Sequence, residues 1–269
     1  MQQFQTDKLS QKTISKRMTS RKDHPMLLPS LREQVLHANQ EIARRGLAVH
    51  TFGNASGIER GGIDGSGKEP LVAIKPSGVS YATLTTGDLV LTRLDGTVVE
   101  GTLNPSSDLD THLLLYREFP QIGGVVHTHS EFATSWAQAC QPIPCLGTTH
   151  ADYFHGPVPI TEPLTAEEVH EAYVHNTGAV IARLFREQSL DPIAVPGVLV
   201  AGHAPFAWGK TAAAAVENAD LLEYIARLAY RTVTLGAPAD GLAAYVAEHH
   251  YQRKHGPKAT YGQKTGARR

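Results

Sequence analysis

Two histidines spaced by one residue follow an apolar run, and this spacing suits a metal site. The run Gly123–Val126 leads directly into His127 and His129. On a β-strand, residues two apart point to the same face of the sheet, so both imidazoles can approach one divalent ion. His203 follows a second apolar run, Val198–Gly202. Ordinary strand-end histidines satisfied by hydrogen bonds are the alternative, but a His-x-His pair together with a second strand-end histidine favours metal binding.

Two polar segments offer groups that could hold an anionic substrate. Pro105–Asp108 precedes an apolar helical pattern. Hydroxyls at a helix start either cap the exposed backbone amides or, together with those amides, cradle a phosphate. Lys75–Gly78 follows an apolar strand and offers a hydroxyl, a backbone amide and an ammonium group. Asp108, at the foot of the helix, could add one carboxylate to the three histidines around zinc.

A further carboxylate lies in an otherwise apolar and aromatic segment. Asp152 is the acidic residue of Thr148–Phe154. An aspartate in such a position can simply form a turn. Near a metal, however, a buried aspartate is a candidate general base, and its pKa would depend on its burial and its neighbours.

The elements that would position these residues alternate between helix and strand. Apolar residues with helical spacing predict helices at about 30–45, 108–118, 131–140, 165–188, 211–234 and 242–251, the last with Asp240 as its N-cap. Apolar runs predict strands at 47–52, 58–59, 71–74, 87–92, 97–100, 123–128, 157–160 and 197–202. Asp95-Gly96 marks a hairpin turn. This order predicts an α/β protein with a three-layer α/β/α arrangement and a mixed, largely antiparallel central sheet.

Composition restricts the class of protein. The chain has 269 residues, of which 41% are hydrophobic and 19% charged, and its formal net charge is −1. This charge provides no long-range attraction to nucleic acid or to an acidic membrane surface, and we expect neither as a partner. No apolar run reaches the length of about 18 residues that a transmembrane helix needs. The two cysteines, Cys140 and Cys145, form no zinc or redox motif, so we expect reduced thiols in a cytoplasmic protein.

Together these segments resemble the class II aldolase and adducin-head family, and within it the branch of the L-ribulose-5-phosphate 4-epimerases. The resemblance rests on Gly53-Asn54, Lys75–Gly78, Pro105–Asp108, His127–Ser130, Thr148–Phe154, Pro196–Val200, His203, Pro205–Lys210 and Arg253–Gln263. The His-x-His pair is common to such aldolases. The segment Thr148–Phe154 and the ending Tyr261–Gln263 single out the epimerase branch.

This resemblance also divides the chain. Residues 27–263 would form a single class II aldolase-like catalytic domain. Residues 1–26 contain scattered lysines and arginines without the apolar segment of a secretory signal, and we interpret them as a disordered extension. Residues 264–269 would be a polar tail.

The resemblance implies roles for particular residues. The implied metal ligands are Asp108, His127, His129 and His203, usually around Zn²⁺, although nitrogen and oxygen ligands also accept Mn²⁺ or Co²⁺. The implied substrate-binding residues, chiefly for the phosphate, are Gly53, Asn54, Lys75, Ser77, Gly78, Ser106 and Ser107. Asp152 would act as an acid or base. Tyr261 would reach the active site of a neighbouring subunit in a homotetramer, and His250 aligns with a histidine near that site.

The implied reaction interconverts L-ribulose 5-phosphate and D-xylulose 5-phosphate. The proton on carbon 4 is not acidic, because that carbon is not adjacent to the carbonyl. A retro-aldol cleavage between carbons 3 and 4, followed by re-addition, avoids this difficulty, with Asp152 and Tyr261 as the proton-transfer pair. A fuculose- or rhamnulose-phosphate aldolase is the first alternative, against which Asp152 argues. A non-catalytic module like the adducin head is the second, against which the histidines and Asp108 argue.

Overall fold

The computed structural model describes residues 25–61, 69–236, 240–257 and 259–260. The helices of these residues are α1 (Pro29–Arg44), α2 (Leu109–Glu118), α3 (Glu131–Gln138), α4 (Thr148–Ala151), α5 (Ala166–Glu187), α6 (Ala212–Thr234) and α7 (Ala244–His255). The strands are β1 (Asn54–Glu59), β2 (Leu71–Ile74), β3 (Val90–Arg93), β4 (Val98–Glu100), β5 (Gly124–His127), β6 (Gly197–Leu199) and β7 (Pro205–Gly209).

The strands form one sheet in the order β4-β3-β2-β1-β5-β7-β6. Each pairing between neighbouring strands is antiparallel. The exception to this direction is an isolated parallel bridge between Ile160 and Leu199, beside the edge strand β6. The mixed, largely antiparallel sheet predicted from the sequence is therefore confirmed.

Helices cover both faces of the sheet, because alternate residues of each strand point in opposite directions. On one face, α1 and the first half of α6 pack over residues such as Ala55 and Val126. On the other face, α2 and α5 pack over residues such as Val72, Val125 and Trp208. The result is the expected three-layer α/β/α arrangement.

Helix α1 is fixed to the sheet by apolar packing and by one buried charge. Val35 and Ile42 lie on the same side of the helix and are fully buried. Arg32 is also buried, and its guanidinium donates to the carbonyl of Leu89 at 2.6 Å and to the carboxylate of Glu100 at 2.7 Å. Both terminal nitrogens of the guanidinium therefore have an acceptor, and the Glu100 carboxylate balances its charge, as a buried guanidinium requires.

Most of the predicted elements are confirmed. Five predicted helices match α1, α2, α3, α5 and α6 with ends that differ by no more than two residues. The hairpin through Asp95-Gly96 joins β3 to β4. The strand predicted at 58–59 is the end of the longer strand β1. None of the described helices combines the length and the apolar character that crossing a membrane requires.

Three local predictions were wrong. Residues 47–52 form a turn and no strand: His50 has a φ of 55°, Val49 and Phe52 are exposed, and none of these residues pairs with a described strand. Residues 157–160 contribute only isolated bridges instead of a strand. Helix α7 begins after Ala243, which makes no side-chain capping bond, so Asp240 is not its N-cap.

Candidate active site

Strand register brings the predicted metal ligands to one end of the central strands. Asn54 at the start of β1 lies opposite His127 at the end of β5. His129 follows two residues later in the chain, and His203 lies in the turn between β6 and β7. Strand β7 was not predicted as a strand, yet its pairing with β5 is what places His203 beside the His-x-His pair.

The three histidines form a compact cluster. One ring nitrogen from each of His127, His129 and His203 lies within 4.8 Å of the others. The Nε2 atoms of His127 and His129 are 3.1 Å apart. Phe206 stacks on the His127 ring with 4.2 Å between the ring centroids, which shields this imidazole from solvent. Such convergence of imidazole nitrogens suits the coordination of a divalent metal ion.

Burial keeps the imidazoles of the cluster neutral. Burial lowers the pKa of His127 to about 3, and burial also lowers the pKa of His129 and His203. Nδ1 of His127 donates to the carbonyl of Pro205 at 3.0 Å, which leaves Nε2 with its lone pair. A neutral imidazole with a free lone pair is the form that binds a metal, so these residues fit a divalent ion.

Asp108 lies in the same cavity but is engaged by its neighbours. Its Oδ2 accepts from the Asn54 amide at 2.6 Å and from the Ser106 hydroxyl at 3.4 Å. Burial alone would raise the pKa of Asp108, but the hydrogen bond from the Asn54 amide helps to hold it below its usual value, so the carboxyl group is ionised at neutral pH. Its role as a fourth metal ligand stays a prediction.

A cavity of about 510 Å³ contains every substrate-binding and metal-binding residue predicted from the sequence. Its lining residues are Thr51, Phe52, Gly53, Asn54, Lys75, Pro76, Ser77, Gly78, Ser106, Ser107, Asp108, His127, His129, Tyr173, Val174 and His203. Hydroxyl groups, backbone amides and one ammonium group therefore share a cavity with the histidine cluster.

Two features of this cavity suit a polar, anionic substrate. Lys75 is buried, and its Nζ lies 4.9 Å from the centroid of the Tyr81 ring. Burial lowers the pKa of Lys75, and Asp108 partly offsets this. Asn54 Oδ1 is buried and has no hydrogen-bond partner among the described residues, which leaves one acceptor available.

The loop before Asn54 has a conformation that only glycine tolerates. Gly53 has a φ of 81°, and a Cβ at this position would lie 2.6 Å from the carbonyl oxygen of His127. The Tyr81 hydroxyl lies 2.9 and 2.7 Å from the carbonyl oxygens of Phe52 and Gly53. Tyr81 thereby anchors the loop that carries Asn54 into the cavity.

The predicted catalytic residues lie in a second group. Asp152 accepts from His250 Nδ1 at 3.0 Å and from Arg253 at 3.2 and 3.0 Å. Burial would raise the pKa of Asp152, but Arg253 and His250 lower it. Neither Asp152 nor His250 lines the cavity with the histidine cluster in the same chain. Tyr261 lies outside the described residues.

Sequence reasoning missed several residues that contribute to these two groups. Tyr173 and Val174 line the cavity although they belong to the long helix α5, whose sequence contains no signal for the kink found at Ala172. Phe52 was assigned to a strand, but its ring lies 5.9 Å from that of His129. Arg253 was noted only as part of a family segment, and only the folded chain brings it to Asp152.

Comparison with sequences supports a common origin with sugar-phosphate enzymes. L-ribulose-5-phosphate 4-epimerase UlaF of Salmonella paratyphi B is 48% identical over 237 residues, which cover 88% of this chain and 100% of the relative. The protein of the same name from Salmonella typhi has the same identity and coverage.

Solved structures share the fold. An L-fuculose 1-phosphate aldolase superimposes with a TM-score of 0.67 at 22% identity, covering 83% of this chain and 95% of that chain. The L-fuculose-1-phosphate aldolase of Thermus thermophilus gives a TM-score of 0.57 at 26% identity, with 77% and 98% covered. The family model of the class II aldolase and adducin N-terminal domain matches residues 33–230. The chain therefore belongs to the class II aldolase and adducin N-terminal domain family.

Proposed function

We propose that the chain is an L-ribulose-5-phosphate 4-epimerase, which interconverts L-ribulose 5-phosphate and D-xylulose 5-phosphate. The observation that carries this proposal is the cluster of His127, His129 and His203 within a cavity walled by serines and a buried lysine. The relatives named as this epimerase support the choice among the reactions of the family. A cytoplasmic location and a phosphorylated ketopentose substrate are parts of the same proposal.

The reaction inverts carbon 4 without removing its hydrogen. A base takes the proton of the carbon 4 hydroxyl, the bond between carbons 3 and 4 breaks, and carbon 3 keeps the electron pair. Rotation of the aldehyde fragment presents its other face, the same carbon–carbon bond forms again, and an acid returns the proton to the oxygen. All atoms of the substrate are recovered in the product.

We assign the metal to His127, His129 and His203, with Asp108 as the fourth ligand. Nitrogen and oxygen ligands in this number suit Zn²⁺, and Mn²⁺ or Co²⁺ are the alternatives. The bound ion would polarise the ketone and stabilise the negative charge that bond cleavage leaves on carbons 1 to 3. The Asn54 amide, 2.6 Å from Asp108, would hold this carboxylate in its ionised form.

The phosphate would lie against the hydroxyl groups and amides of Ser77, Gly78, Ser106 and Ser107. Helix α2 begins directly after Asp108, so its first backbone amides favour an anion. Lys75 adds a positive charge from beneath this wall of the cavity. Holding the phosphate would retain the aldehyde fragment during its rotation, which separates an epimerase from an aldolase that releases it.

Proton transfer would use Asp152 and Tyr261, with His250 beside Asp152. Arg253 lowers the pKa of Asp152, so the aspartate would be ionised and ready to act as the base. These residues would serve the cavity of an adjoining copy in a homotetramer. This assignment explains why Asp152 and the histidine cluster can belong to one reaction although they lie apart in a single chain.

The proposal is tested by incubating the purified, metal-loaded protein with L-ribulose 5-phosphate and measuring D-xylulose 5-phosphate. We expect the product to accumulate to a constant ratio with the substrate, and the reverse reaction to reach the same ratio. Release of dihydroxyacetone and glycolaldehyde phosphate would identify an aldolase instead. No conversion by a protein shown to contain metal would refute both activities.

A single substitution tests the metal site. His129→Ala removes one of three clustered imidazoles from a half-buried position, so the fold should persist. We expect the variant to lose most of its bound divalent metal, as measured by elemental analysis after gel filtration, and to lose the epimerase activity. Equal metal content in the variant and in the unsubstituted protein would contradict this assignment.

A further inference from the structure

Helix α5 is kinked beside the cavity. Ala172 has φ −162° and ψ 70°, which are not helical values, in a stretch without proline or glycine. Two side chains after the kink donate hydrogen bonds to backbone carbonyls of the same helix. Asn176 donates to the carbonyl of Glu168 at 2.7 Å, and Thr177 donates to the carbonyl of Tyr173 at 2.8 Å. Insertion of polar side chains into the helical ladder is a recognised cause of kinks.

The kink directs two consecutive residues to the histidine cluster. Tyr173 and Val174 follow it immediately, and both line the cavity. The Tyr173 hydroxyl lies 3.3 Å from Nδ1 of His203. Tyr173 is 42% exposed, so its ring lies at the mouth of the cavity and not within the core.

We propose that Tyr173 is a positioning residue for His203, which it holds through Nδ1. This inference rests on the metal site in the proposed function. A histidine that binds a metal through one nitrogen usually donates its other N–H to an oxygen, and this contact fixes the tautomer and the ring orientation. His127 has such a partner in the Pro205 carbonyl. Tyr173 supplies the corresponding oxygen to His203.

Helix α2 fixes the kink from the other side. Thr111 is buried on α2, and its hydroxyl donates to the carbonyl of Val174 at 2.5 Å. The helices also approach closely there, because a Cβ on Gly178 would lie 3.1 Å from the Cβ of Leu114. Asp108 is the N-cap residue of the same helix. One rigid contact between α2 and α5 therefore sets the position of Tyr173 relative to Asp108.

Cobalt binding tests this role on the full-length protein. Metal is first removed with a chelator, Co²⁺ is then titrated, and its affinity is measured by competition with a chromogenic chelator while its visible absorption bands are recorded. We expect Tyr173→Phe to bind Co²⁺ about 10- to 100-fold more weakly, with shifted bands, since loss of such an outer contact has this effect. Tyr230→Phe, an equivalent change on an exposed α6 tyrosine, should behave as the unsubstituted protein.

A second pair of variants tests the kink. Thr111→Val removes the hydroxyl at nearly constant volume, and we expect weaker Co²⁺ binding, whereas Thr111→Ser keeps the hydroxyl and should restore it. Unchanged affinity and spectrum in Tyr173→Phe would overturn the role of Tyr173 while leaving the metal site intact. Failure of the unsubstituted protein to bind Co²⁺ would overturn both the metal site and the inference.

Discussion

Adjacent serines at the start of α2 have different environments. Ser106 is buried, and its hydroxyl oxygen lies 2.9 Å from the Asn54 amide and 3.3 Å from the backbone nitrogen of Asp108. Ser107 is exposed on the cavity wall. The sequence suggested that both could cap the helix. In the structure Asp108 is the N-cap residue and makes no side-chain capping bond, so capping does not account for Ser107.

Replacing each serine by alanine should therefore have different effects. Ser107→Ala should raise the KM for L-ribulose 5-phosphate about tenfold, the value of one hydrogen bond to a charged group, with little change in melting temperature. Ser106→Ala should also lower the free energy of unfolding by about 1 kcal/mol, because it leaves the Asn54 amide with one partner fewer. Kinetics and thermal unfolding of both variants check this. An unchanged KM in Ser107→Ala would exclude it from phosphate binding.

Buried histidines make the stability of the protein sensitive to acid. His150 lies outside the cavity, and its Nε2 donates to the carbonyl of Gly156 at 2.8 Å. Burial lowers its pKa from 6.5 to about 4, although this hydrogen bond partly opposes the change. Because the unfolded chain takes up a proton first, stability is complete above pH 6.5 and falls as the pH decreases from 6.5 towards 4.

A variant isolates this contribution. Between pH 7.5 and pH 5, the protein should lose about 2 kcal/mol more unfolding free energy than His150→Gln, at about 1.4 kcal/mol for each pH unit below 6.5. Urea unfolding at both pH values measures the difference. A variant that loses as much stability as the unsubstituted protein would show that His150 is not held neutral by its environment.

At the scale of elements, the sequence predicts what is regular and local. Apolar spacing locates α1 and α6 because one face of each helix is buried, and Asp95-Gly96 locates the β3–β4 hairpin through its turn chemistry. The segment 47–52 has the same apolar character as a strand but no partner, which only the sheet order reveals. Beside the kink at Ala172, the Thr111 hydroxyl donates to the carbonyl of Val174, 63 positions later in the sequence, and no local pattern encodes such a contact.

The close approach of β5 to α6 gives the next prediction. A Cβ on Gly124 would lie 2.5 Å from the backbone N and Cα atoms of Ala212, so Gly124→Ala must displace strand or helix. We expect a loss of about 1–3 kcal/mol in unfolding free energy, typical of overpacking, and weaker Co²⁺ binding because the same strand ends at His127. Gly147→Ala is the control, because nothing lies within 4 Å of its Cβ position.

Calorimetry and cobalt titration of both glycine variants decide this point. The control should keep its melting temperature and its metal affinity. If Gly124→Ala melts at the same temperature as the control, the contact between β5 and α6 must be looser than the structure indicates. If it melts lower yet binds Co²⁺ normally, β5 would tolerate the displacement without moving His127.

At the scale of the whole molecule, the residues proposed for the reaction form two separate groups. The histidine cluster and the serines share the cavity, and Asp152 lies against His250 and Arg253 of α7. The sequence indicated the members of each group through motifs. It could not place the groups relative to each other, because the spacing of residues along the chain does not encode how distant segments or separate copies meet.

Complementation between inactive variants tests whether the groups meet across copies. His129→Ala lacks one of the proposed metal ligands but keeps Asp152, whereas Asp152→Asn keeps the cavity but lacks the proposed base. Each variant alone should catalyse epimerisation at least about 10²-fold more slowly than the unsubstituted protein, which is the contribution of a positioned acid or base. If Asp152 serves the cavity of an adjoining copy, equal mixing in a cyclic tetramer makes about a quarter of the sites intact.

To measure this, subunits of the two variants are exchanged, mixed assemblies are verified by native mass spectrometry, and activity is compared with that of the unmixed variants. No recovery in verified mixed assemblies would place Asp152 in the reaction of its own chain, or outside the reaction altogether.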